Sequence, residues 1–202
     1  DGYLDKYIGD SIMAIFGIKR NKPTLEFCID AVYCGLKIQE ITQEFNHYLK
    51  ENFNEVFEIR MGMAYGKAVL GSIGHRKKLE YTAIGRTVNL ASRLESANKK
   101  TYTSILISDS LYQLLKNKIR IEKRFKLKLK GFSNLQLAYS LIDLAKEEKE
   151  KRDQMFEDYI SSTKTQHVQE VSGSSTIQDQ LEVGSNTIKI DVDKAHSQIL
   201  FQ

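Results

Sequence analysis

Asn89 and Arg93 are the residues with the plainest chemical potential in this chain. They stand four apart in YTAIGRTVNLASRLE, Tyr81 to Glu95, a spacing that stacks both on one helix face with Arg86 and Ser96 close by. Arginine offers a planar fork of donors matched to phosphate oxygens, and asparagine can orient or stabilise a neighbouring oxygen. Taken alone, the same pattern suits a solvated polar face. Asp10 is a second candidate, in LDKYIGDSIMAIFG, Leu4 to Gly17. Two strand-like runs flank Gly9-Asp10, so the stretch reads as a β-hairpin with a bare carboxylate at its tip. Aspartate is also an ordinary turn residue that bonds its own backbone. Lys6 alternates with Leu4 and Ile8, so it shares an otherwise apolar strand face, an odd place for a merely solvating lysine.

The elements that carry these residues can be read from periodicity. After the hairpin, Leu25, Cys28, Ile29, Val32 and Leu36, then Ile41, Phe45 and Tyr48, recur at helix spacing, with Thr24 as N-cap. Phe57, Ile59, Met61 and Met63 alternate as a strand, followed by glycine-marked turns and a second strand around Ala68–Leu70. The basic HRKKLE makes a loop or hairpin tip before a strand ending at Gly85. A helix runs from about Thr87 to Asn98, and a short strand leads to another helix near Ser108. Ile119, Ile121, Phe125, Leu127 and Leu129 alternate with charged residues, and LQLAYSLIDL is the last strand of a core ending near Leu144. Strands outnumber helices and many connections are hairpin-like, which predicts an α+β domain with a mixed, mostly antiparallel sheet.

The organisation expected is a catalytic-type domain over 1–144, a charged helical extension over 145–160, and a linker or disordered tail over 161–202. Within that tail, TIKIDV alternates like the start of a strand. Residues 145–202 carry 7 Lys/Arg and 11 Asp/Glu, leaving 23 and 15 in residues 1–144, so the front is +8 and the tail −4. A basic front suits a partner carrying phosphates. Cys28 and Cys34 are six apart in a helical pattern and point to different faces, so they read as two reduced thiols. No apolar run approaches the ~20 residues that span a bilayer. The opening DGYLDKYIGD has no initiator Met and starts inside a structural element, so the chain reads as a fragment.

KYIGDSIMAIFG together with EYTAIGRTVNLASRLE closely resembles the class III nucleotidyl cyclases, the adenylate and guanylate cyclase catalytic domain. The resemblance runs from Asp1 to about Leu144. It implies a ferredoxin-like, palm-type α+β domain that forms a homodimer, with active sites built from both subunits. There the ribose 3′-oxygen of a nucleoside triphosphate attacks the α-phosphorus and pyrophosphate leaves. Two divalent cations, Mg²⁺ or Mn²⁺, are held by two aspartates, and Asp10 matches the one in the family's GD turn. The other lies in the family on a strand upstream of that turn, and Asp1 and Asp5 do not match it, so this chain alone is expected to be weak or inactive.

Base choice in the family rests on two positions, matched here by Lys6, four before Asp10, and Thr82, seven before Asn89. Guanylate cyclases carry Glu and Cys there. A lysine can donate to N1 of adenine, where guanine presents N1–H, and the Thr82 hydroxyl oxygen can meet the 6-amino group. The pair therefore points to ATP. Asn89 and Arg93 match the residues that position the ribose oxygen and stabilise the α-phosphate. Lys130, in LKG, matches a lysine that binds the terminal phosphates, with Lys126 and Lys128 as near neighbours. Arg86 departs from the usual Asp or Asn, and the loop His75–Lys78 reads as exposed.

The expectation is an adenylate cyclase domain making cyclic AMP for intracellular signalling, with an upstream sensor or regulatory domain. Its place would be the cytoplasm, as a free protein or as part of a membrane-tethered parent. The alternatives are a guanylate cyclase, or an inactive cyclase homology module that dimerises and regulates. A nucleic-acid surface is disfavoured: the basic strand has only Phe125 as an aromatic, on its apolar face, and so no stacking platform.

Overall fold

The computed structural model describes residues 2–18, 22–75, 78–173 and 196–201. The expected hairpin is one edge of the sheet. β1 (Gly2–Ile8) and β2 (Ser11–Phe16) pair antiparallel across the turn Gly9-Asp10, where Gly9 takes φ +64°. Register slips between Leu4 and Lys6, so that Asp5 and Lys6 together face Met13. That extra residue is a β-bulge.

Helix α1 (Thr24–Phe53) follows, with Pro23 rather than Thr24 at the N-cap and no side-chain cap. Its first half buries Phe27, Cys28, Ile29, Ala31 and Val32, whereas Ile38, Ile41, Phe45 and Tyr48, at the same spacing, are exposed. Thirty residues make a helix about 45 Å long, and only its first half lies over the core. Residues 55–60 are irregular, not the expected strand from Phe57. Side chains of α1 take up their backbone groups: Asn46 donates to Phe57 O (2.9 Å) and accepts from Phe57 N (2.7 Å), and Gln39 Nε2 donates to Ile59 O (2.7 Å).

The strand β3 (Met61–His75) then runs unbroken through the glycines that the pattern marks as turns. Its second half, Val69–His75, pairs with β4 (Lys78–Ile84). The chain continues through α2 (Arg86–Thr101), β5 (Ile105–Ser108), α3 (Asp109–Leu115), β6 (Ile119–Leu127), β7 (Gln136–Leu144), α4 (Lys146–Gly173) and β8 (His196–Phe201). The sheet order is β1-β2-β8-β3-β5-β7-β6, with β4 paired to β3. Among the described residues only β3–β5 is parallel, so the sheet is mixed and mostly antiparallel.

Alternation along β3 divides the core between the two sheet faces. Met61 and Met63, with Ile105 and Ile107, pack against α1 and α3. The intervening Gly62, Ala64, Gly66 and Ala68 are small, and α2 lies over them. A Cβ on Gly62 would stand 2.0 Å from Ala91 O and 2.2 Å from Glu95 N, and one on Gly66 would stand 2.7 Å from Thr87 Oγ1. These glycines serve helix-to-strand approach, which is why they do not bend the chain. Gly62→Ala should destabilise the domain by about 3 kcal/mol through overpacking against backbone, read as a lower urea midpoint at unchanged m.

Two compact units emerge, residues 1–145 with 192–202, and residues 146–191. The second is mainly α4, which runs past the expected end at 160 to Gly173, and two of its charged side chains, Glu148 and Arg152, are buried. The expected tail over 161–202 thus contains helix up to Gly173 and the sheet strand β8. The rest of it, with TIKIDV, lies outside the described residues. No helix among the described residues is long and apolar enough to cross a membrane.

Both cysteines are free thiols. Burial pushes the Cys28 thiol from 9.0 up to about 12. The folded chain keeps this proton above pH 9, where an unfolded chain releases it, so stability should fall as pH rises from about 9 towards 12. In a Cys28→Val variant that part of the slope should vanish from the pH dependence of the denaturation midpoint.

Candidate active site

The two base-choosing candidates are each held by a contact between β1 and β4. Glu80 and Thr82 are two apart on β4 and so share a face. Thr82 Oγ1 donates to Asp5 Oδ2 at 2.6 Å, and Lys6 Nζ pairs with Glu80 Oε2 at 2.9 Å. Neighbouring strand residues ordinarily point to opposite faces; the bulge turns Asp5 and Lys6 towards the same one. Thr82 is buried at 7 % exposure and Asp5 is half-buried, with its Oδ1 shielded from solvent and without a hydrogen bond. Tyr81, between Glu80 and Thr82, packs edge-on to Tyr3 at 6.2 Å, and burial first, then Tyr3, raises its pKa.

Asn89 and Arg93 are both exposed on α2, whose opposite side buries Thr87, Ala91, Leu94, Ala97 and Asn98. The helix starts abruptly because Gly85 takes φ +148°, a conformation L side chains rarely adopt. It is fastened to β3 at both ends. Thr87 Oγ1 donates to Lys67 O (2.7 Å), and Asn98 Nδ2 donates to Met61 O (2.9 Å) while its Oδ1 accepts from Thr103 (2.7 Å). Arg86 lies over the Phe132 ring, 4.9 Å from its centroid. This gives the residue that departs from the family pattern a packing role.

Lys130 sits in an exposed turn after β6, with Gly131 at φ +84°. Leu129 and Phe132, on either side of the pair, are buried with Leu94 and Ala97 of α2. The turn is thereby held against the helix that carries Asn89 and Arg93. Lys128 Nζ donates to Ser133 O (2.8 Å), a bond within its own loop.

Asp10 stands apart from these residues. It is exposed at the hairpin tip and lines a cavity of about 310 Å³ with Cys34, Glu58, Arg60 and Glu95 among others; Lys6, Thr82, Asn89, Arg93 and Lys130 do not line it. Arg60 pairs with Glu58. Among the described residues no three His, Cys, Asp or Glu side chains converge as metal ligands. Asp10 by itself does not make a two-cation site.

Periodicity alone missed Asp5, Glu80 and Asn98. A bulge leaves no mark in alternation, and Asn98 looks like any polar residue near a helix end.

The residues of this chain from 3 to 143 match the family model for the adenylate and guanylate cyclase catalytic domain. The chain belongs to that family. Adenylate cyclase 1 of Rhizobium meliloti is 32% identical over 148 residues, 72% of this chain and 22% of that protein, so the chain spans about a fifth of that relative's length. The crystal structure of the adenylyl cyclase CyaB from P. aeruginosa superposes with a TM-score of 0.63 at 33% identity, covering 72% of this chain and 74% of the other. The guanylyl cyclase Cya2 superposes at 0.59 with 25% identity, covering 72% of each chain. The fold is therefore the α+β domain of a class III nucleotidyl cyclase. Members of this family generally use divalent metals, and Asp10 is the carboxylate that the sequence reading offers as a ligand.

Proposed function

We propose that this cyclase domain is of the adenylate type, converting ATP to 3′,5′-cyclic AMP and pyrophosphate in sites shared between two copies. The observation that carries this reading is the junction of β1 and β4, where an ammonium donor and an acceptor pair sit side by side. Lys6 has three N–H donors; one goes to Glu80, which orients the ammonium and leaves donors for N1 of adenine. The Asp5–Thr82 pair supplies the acceptor side for a 6-amino group. Guanine presents the reverse polarity at both positions.

On α2, Asn89 would orient the ribose and Arg93 would hold the charge that builds on the α-phosphate as the 3′-oxygen bonds to phosphorus and the bond to the β-phosphate oxygen breaks. The 3′-hydroxyl gives its proton to water, and pyrophosphate leaves with the electron pair of the broken bond. Lys130, on the turn packed against α2, would hold the terminal phosphates. Asp10 would face this set from the second copy, which accounts for its separation from the other candidates within one chain. An upstream sensor or regulatory domain belongs to the same proposal.

The test is conversion of ATP and of GTP by the chain extended upstream. Cyclic AMP and pyrophosphate in equal amounts are expected. Cyclic GMP as the main product would favour the guanylate alternative, and no turnover of either nucleotide would favour the regulatory module.

A further inference from the structure

We infer that Asp5 is a specificity-determining residue, its carboxylate being the acceptor for the purine 6-amino group, with Thr82 as the residue that positions it. This rests on the reading of the β1–β4 junction as the base site. Thr82 carries one hydroxyl hydrogen, and at 2.6 Å from Asp5 Oδ2 that hydrogen is committed to the carboxylate. The separation is typical of a hydroxyl donating to an ionised oxygen. Thr82 is also the more deeply buried of the two. The group left to meet a ligand is Asp5.

Two further observations agree. The bulge at Asp5 is a local device that re-aims a side chain, and it brings the carboxylate next to Lys6 on one face of β4. A purely structural aspartate would pair both oxygens, whereas Oδ1 is dry and without a partner. Such an acceptor costs free energy until a donor arrives. The Cβ–Cγ torsion of an aspartate is soft and two-fold, so the Asp5 carboxylate can turn about that bond, keep Thr82 on one oxygen and give the other to an incoming N–H. A 6-oxo group would bring lone pairs against lone pairs, the kind of mismatch that rejects an analogue strongly.

The experiment compares equilibrium binding of ATP with that of purine riboside triphosphate, the same nucleotide without the 6-amino group, to the full-length protein. The wild type should prefer ATP by about 10–100-fold, the worth of a hydrogen bond to a charged group. Asp5→Ala should bring that ratio to about one. Thr82→Val, which keeps the carboxylate but removes its positioner, should leave a reduced preference. A wild-type preference that survives Asp5→Ala overturns the inference alone, as does a Thr82→Val variant that loses all preference while Asp5→Ala keeps it. Equal affinity of the wild type for both nucleotides overturns the base-site reading together with it.

Discussion

Arg93→Ala should lower cyclase turnover by about 10²–10³-fold, the usual cost of removing one donor to developing charge. The guanidinium is exposed on α2 while Ala91 and Leu94 on the other side are buried, so the denaturation midpoint should barely move. Arg93→Lys should recover little, because a point charge lacks the planar fork that meets two phosphate oxygens. Asn89→Ala should cost a similar factor, and the double variant far less than the product of the two, since groups serving one transition state act as a unit. The measurement is kcat and KM for the chain extended upstream. A loss confined to KM would mean that Arg93 binds ground state and transition state alike, and would overturn its proposed role.

That expectation comes from a spacing of four on a helix, the kind of information a sequence carries well. The hairpin tip at Asp10 and the abrupt start of α2 after Gly85 were legible for the same reason: each is a local rule that needs no distant partner. What could not be read depends on contacts far apart in the chain. The glycines of β3 look like turn markers until α2 is laid across them, and residues 55–60 look like a strand until Asn46 and Gln39 occupy their backbone groups. The exposed second half of α1 keeps a helical apolar pattern that sequence alone equates with burial. Asp5 is the sharpest case. Alternation puts it on the face opposite Lys6, and one extra residue in the register puts both on β4.

The same junction gives the second large effect. Lys6→Glu with Thr82→Cys should shift selectivity from ATP towards GTP, lowering the ratio of kcat/KM values by about 10²-fold or more, since groups built to hydrogen-bond one base edge reject the other strongly. The carboxylate introduced by Lys6→Glu would accept the guanine N1–H that a lysine repels. It would also face Glu80, which loses its lysine partner across the 2.9 Å contact. That repulsion should weaken binding of both nucleotides while leaving their ratio to report base choice. The swap leaves the Asp5 carboxylate in place against the 6-oxo group, so adding Asp5→Asn, which can turn an N–H towards that oxygen, should shift the ratio further in the same direction. Competition between ATP and GTP in one reaction, with cyclic AMP and cyclic GMP quantified together, reads the ratio directly. If the double variant kept the full ATP preference, Lys6 and Thr82 would lose their assignment as the residues that read the purine.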